Sequence, residues 1–495
     1  MNRRTYFAGV ILLLAWVGFI ARPLYSQTGD VQKLLAALLQ DTPLEEDLQE
    51  LTDQFGGRPT GSEANLKAVE WGVQKFQDIG VKVWKEPFEM PALWLEESSE
   101  LRIHGDVSFT LRVVAMPFSV GTPPKGLTAP LVDGGFGTED DFARLGEKAR
   151  GAFVLVETHE LRNLDDLFRE YGEAVEIEKR AFAAGVKGLI YMASRPRNLL
   201  YRHNASLGPD NKHPLLVMER EGAKRALRLL RAGKQLQATA IIRVKRGGPY
   251  TSYNVIAEIK GREKPEEIVI VGAHLDSWDL GTGALDDGCN VAMLIDIARQ
   301  IKKLGLQPRR TIRFALWNGE EQGIIGSWKY TEQHEKELDN YVMAASFDIG
   351  SGRITGFFTN GRSELLTAVE KALKPVAGLG PFTHINEPLV GTDNLDFMLQ
   401  GVGNLVANQE SANYGPNYHA RSDTYDKVDL RQLRLNMLIA AAVTYGFAEM
   451  DVTWGRQSYD EVKKLVETTS LADQLKGMGM WESWAKGLRG RRPGK

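Results

Sequence analysis

Cysteine is almost absent from this chain of 495 residues, in which Cys289 is the only one. A single cysteine excludes an intrachain disulfide, and it leaves no thiol near the amino terminus for lipid attachment. Although a thiolate can bind a metal, Cys289 stands in D-D-G-C-N, just before a helical pattern. We expect it to begin a helix as a small buried residue.

An excess of charge of either sign is also lacking, because 61 Lys and Arg residues face 64 Asp and Glu residues, a formal net charge of −3. The sequence therefore gives no global electrostatic case for nucleic-acid binding. With 43% hydrophobic and 25% charged residues, the composition is that of an ordinary globular protein. The length suits two or three domains.

The apolar run at the amino terminus, from Tyr6 to Ala21, is short for a membrane span. Its 16 residues follow Arg3-Arg4 and precede polar residues around Ser26, whereas a spanning helix needs about 20. We predict that residues 1–26 are a signal peptide and that the protein is exported, either to a bacterial periplasm or as a secreted protein. An uncleaved amino-terminal anchor and a buried helix remain alternatives.

The rest of the chain divides by its residue patterns. Residues 27–120 carry helical patterns at 31–52 and 62–79, joined by the loop G-G-R-P-T-G-S, and short strands at 81–115. In residues 121–245 no strand end carries clustered His and acidic residues, so we interpret this segment as an inserted non-catalytic domain. The strand and helix pattern resumes over 246–455. Residues 456–495 are predicted to form a C-terminal helix and a frayed basic tail.

Side chains that can bind metals or act in catalysis follow three apolar runs. The run E-E-I-V-I-V-G-A precedes His274, R-T-I-R-F-A-L-W-N-G precedes Glu320, and V-M-A-A-S-F precedes Asp348. Such runs are typical of buried parallel strands, although a buried helix gives the same pattern. In open α/β sheets ligands collect at the carboxyl ends of strands. We therefore expect these side chains to meet in one crevice.

Imidazole and carboxylate groups are zinc ligands, and hydrolytic sites keep one position open for water. The segment Val271 to Asn290 with Glu320-Glu321, Asp348 and His419 supplies five plausible ligands for a pair of zinc ions. Two metals about 3.5–4 Å apart can share a carboxylate and a water whose pKa falls toward neutrality. One bridging ligand and two further ligands for each metal are sufficient.

Five ordered motifs resemble a known family: H-L-D-S-W-D, A-L-D-D-G, N-G-E-E, S-F-D and Y-H-A-R-S-D-T-Y-D. They are similar to those of the co-catalytic zinc exopeptidases of clan MH, among them leucyl aminopeptidases, glutamate carboxypeptidase II and, closest in its motifs, carboxypeptidase Q. The resemblance covers most of the mature chain. It implies an α/β fold, a three-layer sandwich around a mostly parallel mixed sheet, with a protease-associated-like domain inserted at 121–245.

The resemblance also implies a role for each residue of the metal site. His274 and Asp348 would hold one zinc, Glu321 and His419 the other, and Asp286 would bridge them. A hydroxide that bridges the metals would attack the peptide carbonyl.

Three further residues receive roles from the same resemblance. Glu320 would be the general base, and Asp276 would accept the second ring N–H of His274. Tyr418 resembles a tyrosine that donates a hydrogen bond to the tetrahedral oxyanion.

Neighbouring residues have more ordinary interpretations. Asp287 is a rival to Asp286 as the bridge, but we expect it to shape the turn. In the segment V-G-T-D-N, Asn394 replaces the histidine of relatives, so Asp393 is left out of the predicted site. Five further histidines have no matching partners and are expected to be surface or loop residues: His159, His203, His213, His334 and His384.

The function expected from these motifs is hydrolysis of short peptides or dipeptides by a di-zinc exopeptidase. A non-catalytic binding ectodomain is a second possibility, and a single-zinc acyltransferase resembling glutaminyl cyclase is a third. Retention of all five ligands and of Glu320 favours the hydrolase. The sequence does not decide between aminopeptidase and carboxypeptidase action, because acidic and basic residues both lie near the motifs. The resemblance slightly favours a homodimer.

Overall fold

The computed structural model describes residues 27–204 and 206–494. The predicted signal peptide, residues 1–26, lies outside the described residues. Within the described ranges, no helix combines the length and the apolar character that crossing a bilayer requires.

The described chain forms a mixed α/β fold with two sheets. Its strands in chain order are β1 (Lys82–Met90), β2 (Leu93–Gly105), β3 (Phe109–Leu111), β4 (Val113–Ala115), β5 (Leu127–Asp133), β6 (Phe153–Val156), β7 (Gly188–Met192), β8 (Leu215–Met218), β9 (Leu236–Gly247), β10 (Tyr250–Ile259), β11 (Lys264–His274), β12 (Arg310–Trp317), β13 (Tyr341–Ser346), β14 (Ile354–Phe358) and β15 (Asn404–Gln409).

The α-helices in chain order are α1 (Gln27–Leu38), α2 (Leu44–Gln49), α3 (Glu63–Asp78), α4 (Glu139–Leu145), α5 (Leu164–Ala183), α6 (Arg220–Arg231), α7 (Cys289–Lys303), α8 (Ile325–Gln333), α9 (Ser363–Leu373), α10 (Asn394–Leu399), α11 (Tyr414–Asn417), α12 (Leu430–Glu449), α13 (Tyr459–Thr468), α14 (Leu471–Gly477) and α15 (Trp481–Ala485). Two π-helical turns occupy Glu50–Phe55 and Ala284–Gly288. Short 3-10 turns occupy Gly146–Ala149, Gly208–Asp210, Leu338–Asn340, Lys374–Leu379 and Tyr425–Lys427.

The first sheet has the strand order β1-β10-β12-β11-β13-β15-β14. Strand β11 pairs in parallel with β12 and β13, and β13 pairs in parallel with β15, whereas the outer pairs are antiparallel. The three strands that we predicted to be buried and parallel are therefore confirmed as neighbours. Their carboxyl ends meet at one edge of the sheet.

Both faces of this sheet are covered, which gives the predicted layered α/β fold. Along β11, Val269 and Val271 belong to the core shared with α7 and α12, while Ile268 and Ile270 pack in a second cluster with Trp317. Alternate side chains of a strand point to opposite faces, so a strand between two helical layers is apolar at nearly every position. That pattern is the continuous hydrophobic run seen in the sequence.

The helix predicted at 31–52 is interrupted, whereas the helix at 62–79 is confirmed as α3. Helix α1 ends at Leu38, and α2 begins after Pro43. Proline lacks the N–H that a helix interior needs, and it disfavours helical geometry in the residue before it. The predicted cap of α3 is also found, because the hydroxyl of Ser62 accepts a hydrogen bond from the N–H of Asn65 at 3.1 Å.

The second sheet has the order β3-β2-β9-β5-β6-β7-β8-β4, with its own hydrophobic core. It includes β2, β3 and β4, which precede residue 121, where the inserted domain is predicted to begin. The long antiparallel pairing of β2 with β9 draws these strands away from the first sheet. The protease-associated-like nature of this region remains a prediction.

The basic C-terminal tail is not frayed as the sequence suggested. Arg489 is 3% exposed and forms a two-pronged ion pair with Asp396 of α10, with N···O distances of 2.7 and 2.6 Å. The same guanidinium donates to the carbonyl of Ile324 at 3.0 Å. A buried charge needs a partner, so Asp396 fixes the tail to the body of the protein.

Candidate active site

The predicted ligands meet at the carboxyl edge of the first sheet. His274 ends β11, Glu321 follows β12, and Asp348 follows β13. Asp286 comes from the π-helical turn before α7, and His419 comes from the loop after α11. All five residues are buried, with 7% exposure or less.

His274 is oriented by a main-chain oxygen. Its Nδ1 lies 2.9 Å from the carbonyl oxygen of Asp276, which can only accept a hydrogen bond, so Nδ1 carries the proton. The predicted partner was the carboxylate of Asp276, whose nearest oxygen lies 3.8 Å away. That carboxylate instead accepts a hydrogen bond from the hydroxyl of Thr60 at 2.8 Å. The tautomer is the expected one, but the partner was wrong.

The other ring nitrogen of His274 faces two carboxylates. Nε2 lies 3.1 Å from Oδ1 of Asp286 and 3.2 Å from Oδ1 of Asp348. When Nδ1 is protonated, Nε2 offers a lone pair, and lone pairs on three such atoms repel one another. A proton or a metal ion must therefore lie among these atoms.

Asp286 faces a second donor set with its other oxygen. Oδ2 of Asp286 lies 3.5 Å from Nε2 of His419, which is itself 2.8 Å from Oε2 of Glu321. One oxygen of Asp286 is thus directed at His274 and the other at His419. A carboxylate placed in this way can contribute to two metal positions.

Asp287 is close to the same site, but its oxygens are already used. His274, Asp287 and Asp348 form one group with metal-ligand spacing, and His274, Asp286 and Glu321 form another. However, Asp287 accepts hydrogen bonds from the main-chain N–H of His274 at 3.1 Å and from the side chain of Asn290 at 2.6 Å. Its contacts fit the predicted role in the turn.

Carboxylate oxygens in this cluster lack partners that a metal ion would supply. Oδ2 of Asp286 and Oε1 of Glu321 are buried and accept no hydrogen bond from any described residue, and the contact of Oε2 of Glu321 with Nε2 of His419 lacks hydrogen-bond geometry. Burial, and next the charge of Asp286, raise the pKa of Glu321 well above its ordinary value. Buried charged groups are stable only when they are paired or bind metals. The donor set fits a divalent cation bound by nitrogen and oxygen ligands.

The two histidines differ in their titration. Burial lowers the pKa of His274, but Asp348 and Asp286 raise it more, so that the net shift is well above its ordinary value. For His419, burial outweighs Asp286 and lowers the pKa to about 4. His419 is therefore neutral near pH 7, which is the form that binds metals.

The sequence analysis missed two residues that hold the loop carrying the candidate ligands His274 and Asp286. The fully buried guanidinium of Arg58 donates to the carbonyls of Leu275 at 2.9 Å and Gly283 at 3.0 Å. Asp423 accepts hydrogen bonds from the main-chain N–H groups of Leu285 at 2.7 Å and Asp286 at 3.2 Å. Together they fix both ends of the loop between His274 and Asp286.

Cys289 is confirmed as the first residue of α7 and is fully buried. Its thiol is directed at the carbonyl oxygen of Leu285, 3.7 Å away. The structure therefore gives it the packing role expected from the sequence.

Tyr418 lies where the two sheets meet. Its ring stacks on His419 with centroids 3.7 Å apart, and its hydroxyl lies 3.5 Å from the hydroxyl of Tyr171 on α5. Burial raises the pKa of Tyr418 well above its ordinary value. The phenol therefore keeps its proton and can donate a hydrogen bond.

A loop of the second sheet also packs on the site. The guanidinium of Arg202 makes two hydrogen bonds of 2.8 Å to Asp279, and the main-chain N–H of Arg202 donates to the carbonyl of His419 at 3.0 Å. Next to it, His203 is 5% exposed and stacks on Tyr171. His203 is therefore a loop residue as expected, but a buried one.

Four more of the histidines, His159, His213, His334 and His384, lie outside both metal-spaced groups found in the described chain.

Asp393, which the sequence prediction omitted, is buried beside the cluster. Burial raises the pKa of Glu320 well above its ordinary value, and Asp348 and Asp393 raise it further, against a lowering by His274. Asp393 is 2% exposed. The sequence prediction left Asp393 out because Asn394 follows it in place of a histidine, and that pattern carries no information on how close Asp393 lies to Glu320 in the fold.

Two cavities adjoin the cluster. The cleft on the side of Glu320 and Glu321 has a volume of about 220 Å³. A mainly apolar cavity of about 250 Å³ adjoins Asp348 and is lined by Ile349, Phe358 and Leu389. Four residues border both cavities: Tyr171, Gly391, Tyr418 and Met478.

Comparison with known sequences assigns this site to a family. Residues 254–444, which contain all five predicted metal ligands, match the model of peptidase family M28. Human carboxypeptidase Q is 30% identical over 414 residues, covering 81% of this chain and 84% of that protein.

The chain belongs to peptidase family M28. The resemblance to carboxypeptidase Q that the motifs indicated is confirmed, as is the predicted class of enzyme, a metallopeptidase.

Solved structures of similar proteins confirm the fold class. A peptidase M28 precursor from Shewanella amazonensis SB2B is 28% identical, with a TM-score of 0.77, and the match covers 88% of this chain and all of that one. BSAP, a zinc aminopeptidase from Bacillus subtilis, is 22% identical, with a TM-score of 0.64, over 81% of this chain and 93% of that one. The second likeness is one of fold.

Replacement of the unpartnered carboxylate by Glu321→Gln should stabilise the metal-free protein. A carboxyl whose pKa is raised on folding binds more protons folded than unfolded, so stability falls as pH rises from about 4.5 toward the folded value. We expect Glu321→Gln to gain about 1–3 kcal/mol over wild type at pH 8. Urea unfolding of chelator-treated protein at pH 5 and pH 8 measures this.

The control is Glu147→Gln, at a position where the side chain is 88% exposed. This variant should leave the free energy of unfolding unchanged at both pH 5 and pH 8. A metal-free Glu321→Gln protein less stable than wild type at pH 8 would contradict the electrostatic interpretation.

Proposed function

We propose that this protein is a zinc-dependent exopeptidase that hydrolyses short peptides with free termini. The observation that carries the proposal is the arrangement of Asp286, whose Oδ1 is 3.1 Å from His274 and whose Oδ2 is 3.5 Å from His419. Each oxygen faces a separate set of donors. Membership in a peptidase family makes hydrolysis of a peptide bond the reaction that this arrangement serves.

His274 and Asp348 would hold one zinc ion, Glu321 and His419 the second, and Asp286 both. Imidazole nitrogens and carboxylate oxygens are the ligands that catalytic zinc takes in proteins. The Bacillus subtilis aminopeptidase of the same fold is a zinc enzyme. When bound, zinc supplies Lewis-acid chemistry at the peptide carbonyl and makes water acidic enough to ionise near neutral pH.

Glu320 would act as the general base. It lines the cleft next to Glu321 but does not belong to either group of residues with metal-ligand spacing. A carboxylate in this position can take a proton from the attacking water and return it to the leaving amine. The main-chain N–H of Glu320 donates to Oδ1 of Asp276 at 3.4 Å. Asp276 would therefore position two residues: Glu320 through its carboxylate, and His274 through its main-chain carbonyl.

Tyr418 would stabilise the oxyanion that forms on the peptide carbonyl. It borders both cavities, and its ring is held against His419. A phenol that keeps its proton in a buried site is a suitable donor to a developing negative charge.

Export to the periplasm or the medium is part of the same proposal. It rests on the amino-terminal sequence, with Arg3-Arg4 before the apolar run and a single cysteine in the whole chain.

A panel of dipeptides tests the reaction. Free dipeptides should be hydrolysed, and a chelator should abolish the activity, because the cluster depends on metal for its charge balance. Comparing amino-blocked and carboxy-amidated forms with the free dipeptide shows which terminus is recognised, by liquid chromatography of the products. Hydrolysis that survives complete removal of zinc would refute the metal-dependent mechanism.

Glu320→Gln should retain bound zinc but lower kcat at least about 100-fold, since the amide is nearly isosteric and cannot accept the proton. Metal analysis and dipeptide kinetics on the same preparation measure both effects. The matched control is Glu266→Gln, at an exposed position of β11, which should keep wild-type turnover. Turnover of Glu320→Gln near the wild-type rate would exclude Glu320 as the base.

A further inference from the structure

The C-terminal segment, residues 459–491, forms part of the wall of the substrate cleft. Gly477 to Met480 line the cleft beside Glu320 and Glu321, and Met478 also borders the apolar cavity beside Asp348. Met478 therefore stands next to both spaces that adjoin the reacting centre.

Local structure fixes Met478 in this place. Helix α14 ends at Gly477, and Gly479, two residues later, has φ +68°, a left-handed conformation that favours glycine. The N–H of Met480 donates to the carbonyl of Leu475 at 2.8 Å, and the N–H of Gly479 donates to the carbonyl of Lys476 at 3.1 Å. This pair of bonds is the Schellman arrangement that ends many helices. The turn holds Met478 at the boundary between the cavities.

The segment is anchored to the loops that carry the site. Gln474 accepts a hydrogen bond from the N–H of Val390 at 3.0 Å and donates to the carbonyl of Pro388 at 2.9 Å. Arg489 binds Asp396 and the carbonyl of Ile324. Val390 borders the apolar cavity beside Asp348, and Ile324 borders the cleft beside Glu320 and Glu321. The C-terminal segment is therefore anchored on both sides of the catalytic cluster.

The opposite wall comes from the second sheet. Tyr171, Ala174 and Val175 of α5 line the cleft, and α14 packs against α5. The two walls therefore touch beyond the catalytic cluster. Each cavity is smaller than the roughly 300 Å³ at which pockets for drug-sized ligands begin. One amino-acid residue on each side of the scissile bond would occupy this space.

We propose that the C-terminal segment limits substrate length and that Met478 is the residue that sets the limit. The inference rests on the proposed function, and it adds a specificity role to a segment outside the matched family region. Dipeptides would fit between α5 and Met478, and longer peptides would meet the side chain of Met478 or the contact of α14 with α5.

The test is a series of alanine and leucine peptides of two to five residues, with kcat/KM measured for each length. Wild type should prefer dipeptides. Met478→Ala should raise the ratio of tetrapeptide to dipeptide kcat/KM at least tenfold, because the smaller side chain opens the passage between the cavities. Val175→Phe, on the opposite wall, should lower the same ratio.

Leu488→Ala is the control, since Leu488 lies in the same segment, is 55% exposed and borders neither cavity. It should keep the wild-type length profile. A Met478→Ala ratio equal to that of wild type, or a wild type that hydrolyses tetrapeptides as fast as dipeptides, would overturn the length limit alone. A wild type inactive on every peptide would contradict the proposed function itself.

Discussion

Carboxylates buried side by side at the end of a sheet impose the main physical constraint on this protein. Asp286, Glu321 and Asp348 are each 8% exposed or less in their side chains, and they lie close enough to repel one another. The cost of burying such charges is several kcal/mol for each ion unless a cation compensates it. The cluster lies where a metal ion bound at the edge of the sheet can offset this cost.

Hydrogen bonds from neighbouring residues hold the cluster together against the repulsion between its carboxylates. Arg58 binds main-chain carbonyls on the loop between His274 and Asp286, and Asp423 binds main-chain N–H groups on the same loop. Arg202 adds a link from the second sheet to Asp279 and to the carbonyl of His419. Apart from the ion pair of Arg202 with Asp279, these contacts act on the backbone, so they hold the candidate ligands in place in a structure without an ion.

The sequence predicted the strands and the candidate ligands because their signals are local. A continuous apolar run reports a strand covered on both faces, and the residue after it reports what the sheet edge presents. Arg58 gave no such signal, since the carbonyls of Leu275 and Gly283 to which it donates lie 217 and 225 positions away. The partner of His274 was mistaken for a different reason: the main-chain carbonyl and the carboxylate of Asp276 are equally near in sequence, and no residue pattern shows which of them accepts the hydrogen bond.

The C-terminal tail shows that composition alone does not predict whether a segment is ordered. Gly, Arg and Pro together favour disorder, yet one arginine finds the buried carboxylate of Asp396, about 90 positions earlier, and docks the segment beside the cleft. By contrast, the break in the first predicted helix at Pro43 could have been read from the sequence.

The most direct test of the account is the number of zinc ions that each chain holds. Protein purified with zinc and dialysed against metal-free buffer is analysed by elemental mass spectrometry, together with His419→Ala. Two zinc ions per wild-type chain and one in His419→Ala are expected, because Asp286 and His274 with Asp348 still form one complete set. One ion or none in the wild-type chain would contradict the shared role of Asp286.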